Sequence, residues 1–188
     1  MSDIPTNSNN HDENQHGYLM LLIGDERATS DAALGIALRG AGHNLRVHII
    51  EFQKTGRDRG EVTATSFLTG VSLSQFGTTE ANQTVSETGG VGTSPERTEA
   101  ALRDATTHVN RRVTNILVLE GILSLVENGL VDDTFIIELA GNAASWLDIV
   151  ATGSSASNAL KEHADSVTTM ETTKADSRNA ELRPGIHY

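Results

Sequence analysis

Cysteine is absent from this 188-residue chain, which excludes disulfides, thiolate zinc sites, iron–sulfur clusters and thiol nucleophiles together. Positive charge is scarce: 14 Lys and Arg stand against 25 Asp and Glu, a net charge of −11. Binding to a nucleic-acid backbone needs clustered cations that release counterions, so nucleic acid is not an expected partner. Long apolar runs are missing too. Nothing approaches the roughly 18–20 residues of a membrane span, and residues 1–17 have neither the basic start nor the apolar stretch of a signal peptide. The expectation is a cytoplasmic protein without a membrane partner, built as one domain plus a tail, since a domain takes roughly 100–200 residues.

The charge that is present has a texture. Only Lys54, Lys161 and Lys174 are lysines, the other basic residues are arginines, and aromatic residues make up 4% of the chain. Acid-rich, Lys-poor and Thr-rich composition fits a protein working in a very salty cytoplasm, where screening offsets self-repulsion.

Residues 1–17 (MSDIPTNSNNHDENQHG) offer little to bury and read as a disordered polar tail, in which His11 and His16 are too isolated to argue for a metal tract. From 18 to 188 the pattern is that of a single domain. Tyr18–Ile23 is a continuous apolar run stopped by Gly24, as expected of a strand buried on both faces. Apolar residues at helical spacing predict a helix over Asp31–Gly42, capped by Ser30 or Asp31, and Leu45–Ile50 reads as a second strand. Strand, helix and strand within this span make a parallel, right-handed βαβ unit. Phe52–Pro95 is glycine-rich and reads mostly as loop, with a β-prone piece at Thr63–Leu68. Pro95–Arg112 predicts a long helix with acids early and arginines late, the order the helix dipole favours. Asn115–Leu119, Trp146–Val150 and Ser166–Met170 read as strands, and Thr134–Ala140 and Ala156–Ala164 as helices. The fold class that follows is α/β: a three-layer αβα arrangement around a mainly parallel sheet.

In such sheets ligands gather beyond the carboxyl ends of the strands, and the first strand-to-helix turn is the usual phosphate seat. That turn reads Gly24-Asp25-Glu26-Arg27-Ala28-Thr29-Ser30-Asp31. It leads into Ala32-Ala33-Leu34-Gly35 and Ala41-Gly42-His43, with Glu51-Phe52-Gln53-Lys54 after the second strand. Further on come Val118-Leu119-Glu120-Gly121-Ile122, Ala151-Thr152-Gly153-Ser154, Ala164–Met170 with Lys174, and a Pro184-Gly185-Ile186-His187-Tyr188 ending. Together these segments resemble the ATP:corrinoid adenosyltransferases, P-loop enzymes whose motifs run G-D-G-K-G-K-T-T, A-A-L-G, A-G-H-G, Q-F-x-K, L-D-E-I, T-G-R, A-D-L-V-T-E-M and P-G-I-D-Y. The likeness is close over 18–54 and 113–188 and poor between them. It implies a P-loop-NTPase-like fold, ATP and Mg²⁺ as cofactors, a corrinoid as substrate or ligand, and a homodimer or pairing with an active family member.

The departures fall on the anion-handling positions. The loop glycines are replaced by Glu26 and Ala28, the first lysine by Arg27, the P-loop lysine by Thr29, and the paired threonines by Ser30 and Asp31. A phosphate loop needs glycines for its nest of amides, a lysine for the phosphates and a hydroxyl for Mg²⁺. The family loop carries +1 over its seven residues after the first glycine, whereas Asp25–Asp31 carries −2. One unit pair at ~4 Å is worth roughly 4 kcal/mol at an effective dielectric near 20, so this change opposes a triphosphate strongly. In the L-D-E-I motif Glu120 keeps one carboxylate and Gly121 drops the other, and Ser154 replaces the arginine of T-G-R beside Thr152 and Gly153. By resemblance, Ser30 and Glu120 remain as the metal-ligand candidates, and no catalytic residue is assigned.

The scaffold motifs stay while the phosphate motifs decay. That predicts a cobalamin-metabolism protein whose ATP-dependent adenosyl transfer to cobalt is absent or strongly reduced. Two other readings stand beside it: an active adenosyltransferase with a divergent nucleotide site, and an α/β scaffold repurposed for binding or regulation. Elsewhere the plain readings prevail. His43 and His48 are expected to be a helix-exit residue and a strand residue and not a metal pair, and Trp146 to pack in the core or an interface.

Overall fold

The computed structural model of the chain describes residues 16–54, 56, 59–77, 94–174 and 183–186, so the polar tail and the glycine-rich stretch at 78–93 fall almost wholly outside the described residues. Within them the elements run β1 (Leu19–Gly24), α1 (Glu26–Gly42), β2 (Val47–Glu51), α2 (Gly60–Thr65), β3 (Val71–Gln75) and α3 (Pro95–Arg111), then β4 (Ile116–Glu120), α4 (Ile122–Glu127), α5 (Asp133–Asn142), β5 (Asp148–Gly153), α6 (Asn158–His163) and β6 (Ser166–Met170).

The strands form one sheet in the order β3-β2-β4-β5-β1-β6, and every pairing is parallel. Both faces are covered. Ala33 and Ala37 of α1 pack on Leu22, Ile49, Val118 and Val150. On the other face Ala101, Ala105 and Val109 of α3 and Ile136 and Leu139 of α5 pack on Leu21, Ile50, Leu117 and Ile149. Every residue of β2 and β4 is buried, which is why their sequences do not alternate. The expected three-layer α/β architecture is present, with a fully parallel sheet.

Several local expectations are corrected. The first helix begins at Glu26, five residues before Asp31, and Asp25 caps it in place of Ser30 or Asp31. The β-prone stretch at Thr63–Leu68 belongs to helix α2 and the turn after it, and among the described residues the strand of this region is the later β3. Short helix α4 directly follows β4, where the sequence pattern predicts no element. Trp146 lies before β5 and is 42% exposed, so it is not a core residue.

Candidate functional site

The turn after β1 is as short as it can be. Gly24 ends the strand at φ +117°, and a Cβ there would come within 2.0 Å of the Met170 carbonyl oxygen on β6. Only Asp25 separates it from α1. The Asp25 amide donates to that same carbonyl at 3.0 Å, while its side chain accepts from the Ala28 amide at 3.0 Å and from the Thr172 hydroxyl at 2.7 Å. Those bonds, the Ala28 amide first, hold the Asp25 carboxyl below the usual carboxylate range. The free amides of a helix's first turn are what would face an anion, and here a carboxylate of the chain already occupies one of them. Residues 26–30, read from sequence as a loop ahead of the helix, are helical turns.

Winding 26–31 into the helix decides where each side chain goes. Thr29 is buried, and its hydroxyl donates to the Glu26 carbonyl at 3.1 Å. Ser30, one residue on, faces the sheet. Its hydroxyl donates to Glu120 Oε1 and accepts from Lys54 Nζ at 2.8 Å, and the Lys54 ammonium pairs with the same Glu120 oxygen. Ser30 and Glu120, the two metal-ligand candidates, are therefore brought together with a lysine ammonium bridging them.

A second carboxylate lies beside this trio. Parallel pairing sets Glu51 of β2 level with Glu120 of β4, and both are buried. Gln75 donates to Glu51 Oε2 at 2.7 Å, and Arg59 approaches Oε1 at 3.7 Å. Burial first, and then the neighbouring Glu120 charge, raise Glu51 to a pKa of about 7. Glu51 Oε1 and Glu120 Oε2 are buried without a hydrogen-bond partner among the described residues.

Two clefts flank the cluster. The outer, of about 460 Å³, is bordered by Glu26, Arg27, Asp31, Lys54 and Arg59, with Gly185 and Ile186 of the Pro-Gly-Ile segment. The inner, of about 180 Å³, is bordered by Thr29, Lys54, Glu120, Gly121, Thr152 and Gly153. Gly121 starts α4 at φ +84°, and its amide donates to the Thr152 hydroxyl at 3.0 Å. Ser154 borders neither cleft. Its hydroxyl and that of Ser155 donate to Glu127, whose pKa they lower.

Most of the sequence-predicted positions thus converge on the carboxyl ends of β1, β2, β4 and β5, while Asp25 serves the helix cap and Ser154 turns aside. Glu51 and Arg59 were missed as site residues. The one signal for Glu51 was an acid where the resembling family carries glutamine in Q-F-x-K. His43 caps the end of α1, as a helix-exit residue should. His48 is buried beneath α3 and stacks on His108, so His43 and His48 do not meet.

The family model described as ATP:corrinoid adenosyltransferase BtuR/CobO/CobP matches residues 15–188. No curated protein matches the chain. The match spans all the described strands and helices and every motif around the two clefts, and the parallel sheet is of the P-loop kind. The chain belongs to the ATP:corrinoid adenosyltransferase family.

Proposed function

We propose that this chain is a member of the family that does not carry out ATP-dependent adenosyl transfer through its phosphate loop, and that it serves cobalamin metabolism as a corrinoid-binding or regulatory relative. One observation carries the reading: the turn that would cradle a triphosphate is wound into α1 from Glu26 and capped by the Asp25 side chain, with no lysine in 25–31, while the Lys54 ammonium is tied to Ser30 and Glu120. The residues as arranged do not fit a magnesium triphosphate. The loop lysine is absent, the first turn of α1 is capped by its own aspartate, and Glu26, Asp31 and Glu120 add negative charge around the seat. Screening by salt weakens the exposed part of that repulsion and restores neither lysine nor glycines.

Calorimetry with Mg-ATP and with cob(II)alamin, side by side in molar KCl, tests the reading. The expected result is no ATP binding in the micromolar range together with a corrinoid-dependent heat and a shifted visible spectrum. Micromolar Mg-ATP binding overturns it, and neither ligand binding points to a scaffold repurposed for another small molecule or protein. In the fourfold variant Glu26→Gly, Ala28→Gly, Thr29→Lys and Asp31→Thr, nucleotide binding returns if the loop alone is at fault; no return implicates Gly121 and Ser154. A homodimer, or pairing with an active copy, belongs to the same proposal and is checked by light scattering in that buffer.

A second reading is favoured by the same lysine. In an active enzyme with a divergent site, Lys54 would stand in for the missing loop lysine and swing onto a phosphate, leaving Ser30 and the oxygens of Glu51 and Glu120 that accept no hydrogen bond for a cation. Under that reading wild-type protein binds Mg-ATP and Lys54→Met does not.

A further inference from the structure

On the opposite face of the sheet, away from α1, a second polar cluster lies in an otherwise apolar layer. His48 of β2 alternates with Ile49, which packs under α1, and so points to the α3 side with Ile50. Asp104 and His108 lie one turn apart on α3, on the face that Ala101 and Ala105 press against the sheet. His48 Nε2 is 3.0 Å from Asp104 Oδ2, and His108 Nε2 is 3.8 Å from Asp104 Oδ1. Each ring is held at its far nitrogen by a hydroxyl: His48 Nδ1 to Ser72 Oγ and His108 Nδ1 to Thr114 Oγ1, both at 2.7 Å. The Ser74 hydroxyl lies 3.5 Å from His48 Nε2.

We propose that His48, Asp104 and His108 bind one first-row divalent metal ion of the Zn²⁺ class, in a two-histidine, one-carboxylate site independent of the nucleotide clefts. One ligand atom from each of the three lies within 4.8 Å of the other two. Ligands about 2.0–2.1 Å from a tetrahedral ion stand about 3.3 Å apart, and the Asp104 carboxylate reaches His48 Nε2 with one oxygen at 3.0 Å and His108 Nε2 with the other at 3.8 Å. Two imidazoles and a carboxylate suit Zn²⁺, Co²⁺ or Ni²⁺ and not Mg²⁺, and the hydroxyl on each Nδ1 is the outer support that orients a metal-binding histidine. The two rings are stacked, with centroids 3.7 Å apart and planes 9° from parallel. Parallel planes cannot both contain one ion. Binding therefore tilts His108, the more exposed ring, about its bond to Thr114, and the fourth position falls to Ser74 or water.

The test is titration of the untagged full-length chain with Zn²⁺ against a chromophoric chelator, and with Co²⁺ read by its visible d–d bands, both in molar KCl. One ion per chain is expected, with a rise in the melting midpoint that a chelator reverses. Asp104→Asn, which preserves shape, and His108→Gln, at a partly exposed position, should weaken the site at least about tenfold and abolish the four- or five-coordinate Co²⁺ spectrum. Both variants leave His11 and His16 in place, so any binding by those histidines stays constant across the series. Affinity and spectrum unchanged in the Asp104→Asn protein would overturn the proposal, as would wild-type protein with neither Co²⁺ bands nor a Zn²⁺-dependent melting shift.

Discussion

Lys54 donates to the Ser30 hydroxyl at 2.8 Å while its ammonium pairs with Glu120, so one side chain from the loop after β2 ties α1 to β4. The glutamate is 3% exposed and the lysine about a third exposed, so the pair is shielded from solvent on one side only. Removing the lysine leaves a buried carboxylate without its counter-ion, which generally costs more than the intact pair contributes.

Lys54→Met is accordingly expected to destabilise the protein by about 3 kcal/mol in urea melts at neutral pH. The double variant Lys54→Met, Glu120→Gln should recover most of that loss, because it removes the stranded charge as well. Equal destabilisation in the single and double variants would assign the effect to packing.

Glu51 makes stability depend on pH in a stated direction. Its folded pKa is raised from 4.5 to about 7, so between those values the folded chain keeps a proton that the unfolded chain has lost. Stability therefore falls as pH rises across that window and levels off above it. Glu51→Gln should be more stable than wild type at pH 8, by on the order of 1–3 kcal/mol, and indistinguishable from it near pH 4. Melting curves across pH check both the sign and the window.

Two glycines in neighbouring elements should respond oppositely to alanine. At Gly24 the backbone is at φ +117° and the added Cβ meets the Met170 carbonyl, so Gly24→Ala is expected to cost about 3 kcal/mol or more and to loosen β6. Gly35 lies on the exposed side of α1 with nothing within 4 Å of an added Cβ, and Gly35→Ala should stabilise by about 0.5–1 kcal/mol. Thermal melts of the two single variants suffice.

A net charge of −11 on 188 residues should make the fold salt-dependent. The melting midpoint is expected to climb between about 0.1 M and about 2 M KCl as self-repulsion is screened, most of the gain coming at the lower end where the Debye length shortens fastest. A flat profile would contradict the salt-adapted reading of the composition.

Strands with continuous apolar runs are legible in the amino-acid sequence, because burial on both faces leaves nothing to alternate: Tyr18–Ile23 and Asn115–Leu119 lie within a residue or so of β1 and β4. The start of α1 is not, since Glu26–Ser30 carries no apolar periodicity and sits where the resembling family has an open loop. Helix α4 is hidden because it is only six residues long and Ile122, Leu123 and Leu125 are all buried, so it shows no amphipathic period and no element is predicted there. Thr63–Leu68 misleads in the other direction, its β-branched residues being overruled by context. Glu120, Ser30 and Thr152 are found through motif likeness. Glu51 and Arg59 need the β2–β4 register, and the His48–His108 stack joins residues on separate elements, which no local spacing announces.

The first strand of the chain finds both of its neighbours in the last third: β1 pairs with β5 and with β6. During synthesis Leu19–Gly24 leaves the ribosome with both edges unpaired; one waits for β5, complete at residue 153, and the other for β6, complete at residue 170. Until then the nascent protein exposes an apolar, aggregation-prone edge. A ribosome stall or truncation ahead of β6 should yield insoluble product, and production in a dilute, low-salt host will depend on holdase chaperones more than the modest length of this polypeptide suggests.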